Sequence, residues 1–180
     1  MSETLRLFIA VPVSDAVRLA AAQLIETLRA SGADVKWVEP ENLHLTLRFF
    51  GSTPAERLPE IELLMARAAQ GSAFRISFNG LGAFPSWDKP QVLWIGVTAG
   101  GRELAVLAEA LGVSEGRPFS AHLTIGRVRS RRGCEKLREL VAKTIFYEIS
   151  QPVDSLSLYE SRLTQKGSVY TIREQVRLGQ

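Results

Sequence analysis

The chain has 180 residues, 46% of them hydrophobic, enough for a sizeable core and within the range of one domain or two small lobes. Its 22 Lys and Arg against 19 Asp and Glu leave a net charge of +3, which excludes a polyelectrolyte partner for the surface as a whole; basic character is local, in Arg127-Val128-Arg129-Ser130-Arg131-Arg132. The single cysteine, Cys134, excludes an internal disulfide framework and a Cys-rich zinc site, and Pro12, Asp15 and Arg18 interrupt the apolar start before it reaches signal-peptide or membrane-span length. A monomeric cytoplasmic protein with no membrane contact is expected.

Residues 5–12 are rich enough in β-branched and aromatic side chains for a strand, and Ser14-Asp15 offers an N-cap for a helix whose apolar positions are Val17, Ala20, Ala21, Leu24 and Leu28, with Gly32 at its end. A short strand at 35–38 leads through Pro40 into a strand at 43–50, closed by Gly51. Thr53-Pro54-Ala55-Glu56 reads as a capping box for a second helix with Leu58, Ile61, Leu64, Met65 and Ala68 on its apolar face. A strand at 73–79 follows. The Gly- and Pro-rich segment 80–90 is then the best candidate for a connection between lobes.

The pattern restarts beyond it. Leu93-Trp94-Ile95-Gly96-Val97 echoes Leu7-Phe8-Ile9-Ala10-Val11, a helix with Leu104, Leu107, Ala108 and Leu111 comes next, and a strand at 119–126 follows. The C-terminal third predicts a helix at 133–143 and strands at 145–150, 153–159 and 168–176. The echoing strands are 86 residues apart, and an internal duplication is expected, with halves at about 5–79 and 91–143 and the strands of 145–176 completing two sheets within one domain, 1–180.

Both histidines of the chain open the same pattern, His44-Leu45-Thr46-Leu47 and His122-Leu123-Thr124-Ile125, 78 residues apart. With nine threonines in the chain, a Thr two places after a given His is about a 1-in-20 event, and both together are about 1 in 400. Side chains alternate across a strand, so each strand offers His and Thr to one face and two aliphatics to the other. Two opposed imidazoles suit general acid and general base work near neutral pH. Two hydroxyls suit the non-bridging oxygens of a phosphate whose charge grows in the transition state. That combination describes in-line attack on a phosphodiester, above all a strained cyclic one. No metal or cofactor is expected: two histidines without a suitably spaced carboxylate or thiolate make a poor zinc site, Glu41 and Asp88 being the carboxylates that sequence alone leaves open.

At these residues the chain resembles the 2H phosphoesterase superfamily, and within it the RNA 2′,3′-cyclic phosphodiesterases, also called 2′-5′ RNA ligases. The likeness covers most of the chain: 6–11, 35–51, 122–127, Leu158-Tyr159-Glu160-Ser161 and Gly167-Ser168-Val169-Tyr170. Ala121, where the family often has Pro, is a departure that removes no catalytic group. The resemblance implies a bilobal α+β fold, with two antiparallel sheets lining a central cleft and helices outside. It also implies metal-independent hydrolysis of a terminal 2′,3′-cyclic phosphate to a 2′-phosphate, with reversible 2′-5′ ligation as an added capacity. By the same analogy His44 is the proton donor, His122 the proton acceptor, and Thr46 and Thr124 hold phosphate oxygens. Arg127 matches a phosphate-binding arginine of the family; simple alternation sets it on the face opposite His122, unless Gly126 marks a bulge that turns it back.

Further candidates rest on parity alone. Phe8 and Trp94, in equivalent places on the echoing strands, either stack a terminal base or pack in the core. Arg48 shares parity with His44 and Thr46 and either contacts a phosphate or forms a structural ion pair. The basic run 127–132 suits an RNA backbone leading to the cleft or a solvated face. The expected partners are RNA with 2′,3′-cyclic phosphate ends or small cyclic nucleotides; the other class of function is an RNA-end binding protein without turnover.

Overall fold

The apolar patterns divide the chain into strands and helices, and in the computed structural model, which describes residues 3–112, 118–165 and 167–179, the predicted elements fall close to their expected places. Strand β1 (Thr4–Pro12) is followed by helix α1 (Asp15–Arg29), β2 (Val35–Trp37), a 3₁₀ turn at 40–42, β3 (His44–Pro54) and α2 (Leu58–Ala68). Then come β4 (Phe74–Phe84), β5 (Val92–Ala99), α3 (Gly101–Ala110), β6 (His122–Val128), α4 (Cys134–Lys143), β7 (Ile149–Val153), β8 (Ser155–Thr164) and β9 (Gly167–Arg177). The Ser14 hydroxyl accepts from the Val17 amide at 3.3 Å, so α1 starts on the residue that the cap chemistry predicts. No described helix is long and apolar enough to cross a membrane.

The strands form two antiparallel sheets, one ordered β3-β1-β8-β9 and the other β2-β6-β5-β4-β7. Each sheet has a central strand, β1 or β5, paired with the His strand that follows it in the chain. Strands are exchanged between the halves: β2 and β4 join the sheet of the second His strand, and β8 and β9 join that of the first. The connection between sheets after the first His strand therefore runs through α2 into β4. Residues 80–90 do not join lobes. They hold the end of β4 and a hairpin to β5 in the same sheet. Gly80 is the extra residue of a bulge, with φ +72° between Asn79 and Leu81, and Gly82 lies beneath the Trp94 ring, where a Cβ would fall 2.1 Å from a ring carbon. Glycines inside a strand for these two reasons imitate a loop in sequence.

The capping box is a second correction. Thr53 lies within β3, which runs on to Pro54, and its hydroxyl donates to the Gly51 carbonyl at 3.2 Å; the 3₁₀ turn at 55–57 and α2 start without a side-chain cap. Residues 145–148 stay outside the regular elements, so β7 starts four residues later than predicted. Leu45 and Leu47 on β3, and Leu123 and Ile125 on β6, are buried in the core, which leaves the other face of each His strand to the cleft.

Candidate active site

Each His strand begins at its histidine, and in both cases the ring meets the carbonyl two residues back: His44 Nδ1 lies 2.7 Å from the Asn42 carbonyl and His122 Nδ1 lies 2.7 Å from the Ser120 carbonyl. A carbonyl can only accept, so Nδ1 carries the proton in both rings and Nε2 is the nitrogen left for chemistry. Asn42 is itself tied down, its side-chain amide donating to the Ser168 carbonyl of β9 at 3.0 Å. The anchor of the first histidine thus spans β3 and the last hairpin of the same sheet.

Burial is the main cause that pushes both histidines below the ordinary value, with the charge of Arg127 acting in the same direction; the hydrogen bond to the carbonyl opposes it. One guanidinium lies within electrostatic reach of both rings, which sets Arg127 near the two half-sites. His44 also sits in an aromatic surround. Its centroid is 4.7 Å from Phe8 and 5.3 Å from Tyr170, the latter edge-on, while Tyr159 stacks on Phe8 at 5.0 Å. Burial raises the Tyr159 hydroxyl above its ordinary value, so that ring stays neutral.

Arg127 reaches the cleft through a bulge. Along β5 and β6 the register runs Gly96 to His122 and Trp94 to Thr124, and then shifts so that Leu93 meets Gly126 and Val92 meets Arg127. The extra residue reverses the alternation, and Arg127 returns to the face of His122 and Thr124. Gly126 is needed there, because a Cβ would lie 2.7 Å from a Val35 methyl and 3.1 Å from the Trp37 ring.

The first His strand carries the same irregularity. Pro12 meets His44 and Ala10 meets Thr46, after which Ile9 meets Arg48 and Phe8 meets Phe49. Phe49, five residues after His44, therefore holds the place that Arg127 holds five residues after His122. Arg48 is turned away. Its guanidinium donates to the Leu111 carbonyl at the end of α3 and lies 4.5 Å from the Phe50 ring centroid. Parity read through the bulge named the wrong neighbour, and the structure does not bring Arg48 to the cleft.

His44, Thr46, Thr124 and Arg127 line one cavity of about 400 Å³, together with Phe49 and Tyr170. Among the described residues neither Thr46 nor Thr124 has its hydroxyl engaged in a hydrogen bond. His122 is not among the residues that line this cavity; it lies two residues before Thr124 on the same face of β6. Phe49 is 45% exposed, with the Arg6 guanidinium 4.8 Å from its centroid. The geometry is that of a polar floor with two arginines, Arg6 and Arg127, and the exposed ring of Phe49 on its lining.

Of the two predicted stacking rings, Trp94 lies off this cavity, whereas Phe8 is on its lining but offers little face to a base. Phe8 is 2% exposed, packed beneath His44 and the tyrosines. Trp94 packs on Phe84 at 5.1 Å with its Nε1 buried and without a hydrogen-bond partner among the described residues, while Phe84 meets His122 edge-on at 5.0 Å. Nor are the two equivalent: Trp94 faces Thr124 and Ala10 faces Thr46, so the counterpart of Trp94 is Ala10. An alternating apolar pattern matches itself at any even offset, which hid a slip of two. Asp88 is paired with Arg138 at 3.2 Å, and no group of three or more His, Cys, Asp or Glu side chains able to hold a metal ion occurs among the described residues.

Comparison with known proteins adds two kinds of likeness. Residues 11–94 match the family model of LigT like phosphoesterases. An RNA 2′,3′-cyclic phosphodiesterase of Methanothermobacter thermautotrophicus is 36% identical over 181 residues, covering 96% of this chain and 98% of its own, and one of Archaeoglobus fulgidus is 38% identical over 174 residues, covering 92% and 96%. Among solved structures, a Thermus thermophilus protein superimposes with a TM-score of 0.80 at 29% identity over 97% of this chain and 98% of its own. Escherichia coli LigT in complex with 3′-AMP gives 0.77 at 25% identity over 99% and 100%.

Proposed function

Because the chain belongs to the RNA 2′,3′-cyclic phosphodiesterases, we propose that its cleft opens a terminal 2′,3′-cyclic phosphate by in-line attack of water, leaving a 2′-phosphate and a free 3′-hydroxyl. The observation that carries this reading is the convergence of His44, Thr46, Thr124 and Arg127 on one cavity, with both imidazoles held by carbonyls through Nδ1.

His122 Nε2 takes the proton of the attacking water. The new P–O bond forms as the P–O3′ bond breaks, and His44, protonated on Nε2, gives its proton to the departing 3′ oxygen. The Thr46 and Thr124 hydroxyls donate to the non-bridging oxygens, and the Arg127 guanidinium balances the negative charge that grows on them. Burial, and to a smaller extent the Arg127 charge, disfavours a charged His44; an anionic phosphate bound between His44 and Arg127 offsets this and favours the proton the acid needs.

Ring strain in the five-membered phosphate and two nitrogen bases supply the chemistry without a metal ion. With a 5′-hydroxyl in place of water the same displacement forms a 2′-5′ linkage, so the site also admits ligation. The position of β1-β3 in one sheet and β5-β6 in the other, with a bulge at the same place on each His strand, supports reading the halves as an internal duplication within one domain. We place the protein in the cytoplasm as a monomer.

The test is an RNA oligonucleotide ending in a 2′,3′-cyclic phosphate, assayed in excess EDTA with the position of the product phosphate identified. The expected result is an undiminished rate and a 2′-phosphate. A 3′-phosphate product, or a rate lost in EDTA and restored by a divalent cation, contradicts the scheme.

A further inference from the structure

A second groove of about 360 Å³ adjoins the cavity and shares Val38, Asn42, Arg127, Ser168 and Tyr170 with it. Three more cations line its remainder: Lys36 on β2, Arg129 at the end of β6 and Arg29 at the end of α1, with Glu39 as the carboxylate on its lining. Lys36 stands directly opposite Arg127 across the β2-β6 pair, and Arg129 lies two residues beyond Arg127. All three are exposed. Arg29 is paired with Glu26 at 3.5 Å, whereas among the described residues Lys36 and Arg129 have no ion-pair partner. The nearby carboxylate of Asp34 is occupied by the Ser130 hydroxyl at 2.7 Å.

Like charges directly opposite on neighbouring strands destabilise a sheet. Here the opposed pair, extended by Arg129, points along a groove that begins at the phosphate site. A second anion between them would turn the repulsion into binding. Positions two apart on a strand are separated by about 6.7 Å, comparable to the phosphate step of an extended single strand. Trp37, the aromatic residue of this groove beside Tyr170, is 8% exposed and offers little face to a base.

We infer that this strip of Lys36, Arg127 and Arg129 is a track for the phosphodiester backbone of single-stranded RNA on the 5′ side of the terminal nucleotide. It reads phosphate without reading sequence. The inference rests on the cyclic-phosphate reading of the neighbouring cavity, and makes a polymer, rather than a mononucleotide, the preferred substrate.

The test compares wild type with the double variant Lys36→Gln/Arg129→Gln on two substrates, a 2′,3′-cyclic mononucleotide and a short oligonucleotide with the same terminal nucleotide. Binding of a labelled oligonucleotide ending in a 2′-phosphate is measured alongside. Each lost phosphate contact removes about 0.7 from the slope of log affinity against log salt for a single strand, so the double variant should bind the oligonucleotide with a slope shallower by about 1.4. Its kcat/KM should fall about tenfold or more on the oligonucleotide while the mononucleotide rate stays within about twofold, which also reports an intact fold. Equal losses on both substrates, or an oligonucleotide rate and salt slope like those of wild type, overturn the track. Absence of turnover on both substrates in wild type sinks the cyclic-phosphate chemistry instead; oligonucleotide binding that is weakened in the double variant would still support the track.

Discussion

Replacing Arg127 by Gln removes the one guanidinium that faces both half-sites, and the structure sets two separate consequences. The first is rate. Arg127 lines the cavity with His44, Thr46 and Thr124, so its loss removes a charged donor from the place where transition-state charge develops; one such donor is worth about 2.7–4 kcal/mol, or about 10²–10³ in kcat. Arg6, which also lines the cavity, remains to supply part of the field, which puts the expected loss near the lower figure, about 10².

The second consequence is pH. Burial is the main cause that holds both histidines low and the Arg127 charge adds to it, so its removal lets both rise part of the way and moves the pH dependence of kcat/KM to higher pH. Arg127→Lys keeps the charge and loses the fork, and should lose rate with little displacement of the profile. The assay is kcat/KM on a 2′,3′-cyclic mononucleotide from pH 5 to 8. A loss below tenfold for Arg127→Gln, or a profile moved to lower pH, would refute the reasoning.

Phe49→Ala removes the accessible ring of the cleft; with stacking worth about 1–3 kcal/mol per base, KM for the cyclic mononucleotide should rise about 5- to 160-fold with kcat little changed, and an unaltered KM would show that the ring holds no base. Stability should also depend on the histidines. Both titrate below 6.5 in the folded chain, so both are neutral in either state above that pH; as pH falls through 6.5 the unfolded chain takes up protons first and stability is lost progressively down to the lowered folded values. Thermal melting at pH 7.5 and 5.5 should therefore show a larger acid loss in wild type than in His44→Gln, and an equal or smaller loss would contradict the burial-driven shifts.

Much of the site was legible because strand alternation is a strong rule where a strand is regular. His44, Thr46, His122 and Thr124 lie on regular stretches of β3 and β6, and parity placed each of them on its cleft face. The rule breaks at a bulge. Gly126 is a visible sign of one, so Arg127 was recoverable, whereas the counterpart of Gly126 on β3 is Arg48, which looks like a phosphate ligand and is the residue turned away. Phe49 was missed for that reason; the signal was present in the shared distance of five residues from each histidine. Asn42 and Ser120 act through backbone carbonyls, which any residue supplies, so no side-chain pattern announces them. In the fold, Gly80 and Gly82 disguised the end of β4 as a connecting loop, because the Trp94 ring that fills the space over Gly82 comes from another strand.

The proposed chemistry makes two strands 78 residues apart one catalytic unit. Groups that act as a unit lose their effect together, so removing the second costs little once the first is gone. The measurement is kcat/KM in EDTA on a cyclic-phosphate RNA end for His44→Ala, His122→Ala and the double variant. Each single variant should lose about 10³ or more, and the double variant should be no worse than the weaker single. Losses that multiply in the double variant, or a single variant that keeps the wild-type rate, would contradict the proposed chemistry.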